Sequence, residues 1–135
     1  MRKDNWQSAY AEAIALAMET RFEWGKHDCV LFCGRVVDAI SDRNVTQRML
    51  AEYQWSSARE AYEIITVAGG LQALVTEMMG DPVPWVICST GDVVLARNED
   101  GSDIVTIHDG HNLITVGGTG LGSLPMSASI LGWIT

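Results

Sequence analysis

The chain has 135 residues, 47% of them apolar and 19% charged, which is the size and composition of one globular domain with a hydrophobic core of its own. Its net charge of −8 and the lack of any Lys/Arg cluster argue against nucleic-acid binding. No apolar run is long enough to cross a bilayer, and Met1-Arg2-Lys3-Asp4 lacks the apolar core of a signal peptide, so neither a membrane span nor a signal peptide is expected.

Residues 4–19 read as a helix, because Trp6, Tyr10, Ile14 and Ala17 form one apolar stripe at three- and four-residue spacing, with Asp4 or Asn5 as cap. Gly25 turns the chain, and Asp28 caps a second helix from Cys29 to about Ile40. Its buried face carries Cys29, Phe32, Cys33, Val36, Val37 and Ile40. Residues 42–56 are irregular or a short helix. A third helix starts at Ser56 or Ser57, with a capping box to Glu60 and Ala61, Tyr62, Ile65 and Ala68 inward. Gly69-Gly70 stops it, a fourth helix spans Leu71–Met79, and Pro82 and Pro84 mark an extended connection.

From Gly91 the period changes to that of strands: Val93–Ala96, Ile104–His108, Leu113–Val116 and Ile130–Ile134. Asp109-Gly110 is a two-residue hairpin signal that would pair His108 with His111, and the glycine-rich stretch 117–123 reads as a loop. No repeat or linker interrupts this order, so one domain runs from residue 1 to 135. The expected fold is α+β: three or four N-terminal helices packed on a C-terminal antiparallel sheet of four to six strands, with the Cys29 helix against the sheet.

Chemistry concentrates in Phe22-Glu23-Trp24-Gly25-Lys26-His27-Asp28-Cys29. A turn delivers a cysteine to the first turn of a helix, where free N–H groups and the helix dipole lower a thiol pKa below the usual value of about 8.5. A thiolate there could act as a nucleophile, with a helix amide for the oxyanion. His27, Cys29 and Cys33 could also be read as metal ligands. Three ligands without a second Cys-x-x-Cys fall short of a structural zinc site, and no metal is assigned. Gly117-Gly118-Thr119-Gly120 lacks the helix and lysine of a phosphate loop, so no cofactor is assigned either. The odd cysteine count (Cys29, Cys33, Cys88) suits free thiols. Asp92 reads as a turn or strand-start residue, and Trp6, Trp24, Trp85 and Trp133 as packing residues.

The pattern Trp24-Gly25-x-x-Asp28-Cys29-x-x-Phe32, followed by Gly91-Asp92-Val93-Val94-Leu95, resembles NlpC-type cell-wall cysteine peptidases of the papain-like superfamily. Over nearly its whole length the chain also resembles a family from phage and prophage tail gene clusters. That resemblance adds Gly69-Gly70, Gly120-Leu121 and Trp133. The first resemblance implies a papain-like fold with Cys29 as nucleophile, Trp24, His27 and Asp28 around it, and a peptidoglycan stem peptide as substrate. The second implies phage tail proteins as partners and, with no signal peptide, a cytoplasmic or virion-associated location. The superfamily's catalytic histidine opens the strand after the Gly-Asp strand, where this chain has Asp103. His108 is then the candidate proton shuttle, although it lies five positions on and so on the opposite strand face unless a bulge intervenes. The alternative expectation is a non-catalytic tail or assembly interaction protein that retains the fold.

Overall fold

The computed structural model describes residues 2–135. Five helices precede a five-stranded sheet: α1 (Trp6–Glu19), α2 (Cys29–Ile40), α3 (Val45–Glu52), α4 (Ala58–Ala68), α5 (Leu71–Met79), then β1 (Val93–Arg97), β2 (Asp103–His108), β3 (Asn112–Gly117), β4 (Gly120–Pro125) and β5 (Ser129–Trp133). The sheet order is β4-β3-β2-β1-β5 and every pairing is antiparallel. The α+β layering, helices first and strands after, is as the change of hydrophobic period predicts.

α2 is the central helix. Asp28 caps it by accepting the Leu31 N–H at 3.0 Å, and Leu31, Phe32, Cys33, Val36, Val37 and Ile40 are buried along its length. Its apolar face meets β2 and β3. Because strand residues alternate, Val93, Leu95, Val105, Ile107, Ile114 and Val116 face the helices. Val94, Ala96 and Leu113 face the other way, into a smaller cluster with Cys88, Trp85 and Met126. β1 is therefore apolar on both sides, which explains its unbroken Val-Val-Leu-Ala run.

Several local expectations change. Residues 45–52 take the short helix allowed for 42–56, so the described residues form five α-helices where three or four are expected. The stretch 117–123 is not a loop throughout: Gly120 begins β4, which pairs with β3 from Gly117↔Gly120 to Asn112↔Pro125. Glycine weakens a strand's sequence signal, but pairing along the whole of β3 supplies the backbone partners that propensity lacks. On α4, Tyr62 points outward at 67% exposure and Ile64 turns inward in its place. Ser57 caps that helix by accepting the Glu60 N–H, whereas the Glu60 carboxylate reaches Ser56 rather than Ser57. The β2–β3 turn is centred on Gly110-His111, one residue later than the Asp-Gly signal suggests, since Asp109 N–H bonds the Asn112 carbonyl. His108 then stands opposite Leu113, not His111.

Asp92 is a strand-start anchor, in keeping with its position after Gly91. Its buried carboxylate accepts the Ser89 and Thr135 N–H groups at 2.8 Å each and pairs with Arg2 at 2.9 Å, joining the two ends of the described chain to β1. Arg2 also lies over the Trp6 ring, 4.2 Å from its centroid. Of the other tryptophans, Trp133 is fully buried and Trp24 meets Phe22 edge-on.

Candidate functional site around Cys29

The turn before α2 is built on Gly25, which has φ 79°. A Cβ there would lie 1.9 Å from the Trp55 carbonyl oxygen, so only glycine lets the two chain segments approach this closely. The Gly25 N–H donates to Asp28 Oδ2 at 2.9 Å, and the Trp55 indole donates to the same oxygen at 2.7 Å. Asp28 is 2% exposed, so one buried carboxylate organises the turn, the helix start and the α3–α4 connection. Trp55 was not among the sequence candidates. Its indole donor meets Asp28 across 27 positions, and no local pattern signals that contact.

Cys29 occupies the first position of α2 and is partly exposed, while Cys33 and Cys88 are buried. Its sulfur faces the sheet at β2, where the Val105 backbone amide, together with those of Cys29 and Val30, favours the thiolate. The Val105 amide is free to do so. The even-numbered end of β2 bonds toward β1, as His108 N–H to Asp92 O shows, so Val105 N–H points toward β3. The β2–β3 ladder runs only through Ile107↔Ile114 and His108↔Leu113, and Thr115 Oγ1 takes the Val105 carbonyl instead.

These amides do not win. Burial is the largest influence on Cys29 and the Asp28 carboxylate the next, and together they push the thiol up to about 12. This corrects the expectation of an acidic thiol at a helix N-terminus. The positive end of α2 is already occupied: Asp28 takes the Leu31 N–H and places a negative charge beside the sulfur. The cap and a thiolate compete for the same helix end, and the cap holds it. Cys33 is pushed well above the ordinary thiol value too, by burial first and then by Cys29 and Asp28.

No histidine stands among the groups acting on Cys29. β2 continues to His108 without a bulge, so His108 shares the face of Ile104 and Thr106, away from α2. Its Nδ1 accepts the Gly110 N–H at 3.0 Å. The strand parity therefore removes His108 as a partner for the thiol. His27 is buried at 5% exposure, but its Nδ1 lies 3.4 Å from the Arg35 guanidinium and its ring meets Phe32 edge-on. Desolvation and then Arg35 lower its pKa. Asp103 has the helix-facing parity of Val105 but sits at the exposed strand start, paired with Arg97 at 3.3 Å. Trp24 and Trp55 line a cavity of about 40 Å³ beside Cys29, together with Ile64 and Ile65 of α4. That volume holds roughly one water.

His27, Cys29 and Cys33 do not converge: among the described residues no group of three or more His, Cys, Asp or Glu could hold a metal ion. No helix among them is long and apolar enough to cross a membrane.

Fold and site together define an α+β domain with a cysteine at the start of its central helix, enclosed against an antiparallel sheet. Residues 1–134 match the family described as "Domain of unknown function (DUF6950)", and the chain belongs to that family. No curated protein matches it.

Proposed function

We propose that this chain is a non-catalytic relative of the NlpC-type, papain-like cysteine peptidases and serves as an interaction protein of phage tails or their assembly. The fold kinship and the phage setting rest on the sequence resemblances described above. The absence of turnover rests on one observation: the two candidate imidazoles are turned away from the Cys29 sulfur, His108 on the opposite face of β2 and His27 against Arg35, where a cysteine hydrolase needs an imidazole at the thiol. Burial and the neighbouring carboxylate hold the thiol well above its ordinary value, so the protonated form dominates at neutral pH. The residue at the histidine position, Asp103, is acidic and turned to Arg97, so it supplies no imidazolium to an oxyanion or leaving group. The net charge of −8 suits a protein docked on protein partners.

The test is alkylation of the folded chain by iodoacetamide at about pH 7, read peptide by peptide by mass spectrometry, alongside incubation with peptidoglycan stem peptides. Cys29 is expected to react more slowly than free cysteine, and the peptides to survive intact. Alkylation of Cys29 faster than free cysteine, or cleavage that disappears in Cys29→Ala, would restore the hydrolase reading.

A further inference from the structure

We propose that the groove between α1 and α2, on the His27 side of the central helix, binds a small amphiphilic oxyanion: an apolar body bearing a carboxylate, sulfonate or phosphate. The cavity there measures about 680 Å³, within the range of ligand pockets. Its floor is apolar, formed by Ala13 and Ala17 of α1 and Phe32 and Val36 of α2. Its rim is charged, and the state of the rim cations carries the inference.

The chain has nine Lys and Arg residues against a net charge of −8, so acidic partners are in excess. Six of the nine reach a carboxylate or a backbone carbonyl elsewhere in the fold. The other three, Arg21, Lys26 and Arg35, all line this groove. Lys26 pairs with Glu23 at 3.0 Å. Arg21 has no hydrogen bond or ion pair among the described residues, and Arg35 has only the Nδ1 of His27. Two guanidinium groups that meet neither a carboxylate nor a backbone carbonyl among the described residues thus open onto one apolar-floored cavity.

His27 makes this a built feature. It is a buried ring, and its Nδ1 is 3.4 Å from the Arg35 guanidinium, a contact in which the arginine donates and the imidazole stays neutral. Its other ring nitrogen, Nε2, is enclosed against the Ala17 backbone, so the ring is held between α1 and Arg35. The ring holds Arg35 in place without cancelling its charge, which a carboxylate in the same position would do. Glu12 and Glu23 also line the cavity; Glu23 is matched by Lys26, and Glu12 is outnumbered by the two arginines. A guanidinium fork suits an oxyanion in bidentate geometry, and the floor suits an aliphatic or aromatic body. The groove makes no use of Cys29, so it stands or falls independently of the non-catalytic reading.

The test titrates the intact, folded chain with anilinonaphthalenesulfonate by fluorescence, and with phenylnaphthylamine, the same aromatic body without the sulfonate. The sulfonated probe is expected to bind saturably and at least about tenfold more tightly, with the difference shrinking in about 0.5 M salt. Arg21→Gln with Arg35→Gln should reduce the difference to about twofold or less. Ala13→Trp, which fills the floor, should weaken both probes. Amide NMR shifts in the unsubstituted chain should cluster at Ala13, Ala17, His27 and Arg35. Equal affinities for the two probes, a preference that survives the double arginine substitution, or shifts centred elsewhere would each overturn the proposal.

Discussion

Asp28→Ala tests how far one buried carboxylate organises the site. The side chain accepts three hydrogen bonds: Leu31 N–H on Oδ1, and Gly25 N–H and Trp55 Nε1–H on Oδ2. Loss of the helix cap costs about 0.5–2 kcal/mol. The indole N–H left buried without an acceptor costs about 1–3 kcal/mol more. The Gly25 amide is only partly buried and adds less. Because the three donors share one acceptor group, simple addition overstates the sum, and a loss of about 3–4 kcal/mol is expected. Asp28→Asn should cost less, about 1–2 kcal/mol: its oxygen can keep Gly25 and Trp55 while its NH₂ faces the Leu31 N–H. Urea unfolding gives these values as shifts in midpoint at constant slope. The same substitutions remove the charge that opposes the Cys29 thiolate. The Cys29 alkylation rate should therefore rise in the Asn variant while the fold is intact. An Asp28→Ala variant that loses under about 1 kcal/mol, or an Asn variant whose Cys29 reacts no faster, would refute the view that cap and thiolate compete for one helix end.

Gly25→Ala should destabilise by several kcal/mol, read as a fall in Tm, because it combines φ 79° with a Cβ 1.9 Å from the Trp55 carbonyl oxygen. Asp92→Ala should cost about 3–5 kcal/mol in urea unfolding, since it strands two backbone N–H groups and Arg2 around a buried site. Stability should fall as pH rises above about 9. Burial raises Cys29 to about 12 and Cys88 to about 11, so the neutral thiols stabilise the fold fully below the ordinary thiol value and that contribution is lost as pH climbs toward the folded values. Urea midpoints at neutral and alkaline pH, compared between the native chain and Cys29→Ala, measure the share due to Cys29. At the acid end the sign reverses. Desolvation lowers His27 and His108, so stability should decline as pH falls below the ordinary histidine value of 6.5, with NMR titration placing both midpoints below it.

Where the chemistry is local, the residues alone were legible. Asp28 before an apolar 3.6-residue period specified a capped helix, because a cap and its N–H partner lie three residues apart. The shift to period two after Gly91 specified strands, and alternation alone placed His108 on the wrong face for Cys29. β4 escaped notice because its glycines carry no propensity, and its order comes from pairing with β3.

What needed the folded chain is every property set by distance through space. The sequence order put a cysteine at a helix N-terminus, a position that by itself argues for an acidic thiol. The opposite outcome arises because the sheet and distant segments bury the sulfur, while the Asp28 carboxylate that caps the helix places a negative charge beside it. Likewise, Arg21 and Arg35 are unremarkable surface cations in the sequence. They become a pair only when α1 and α2 lie side by side and leave them facing one groove. Short-range hydrogen bonding and side-chain periodicity are written along the chain. Desolvation and charge pairing depend on which distant segments meet, and only the tertiary structure decides that.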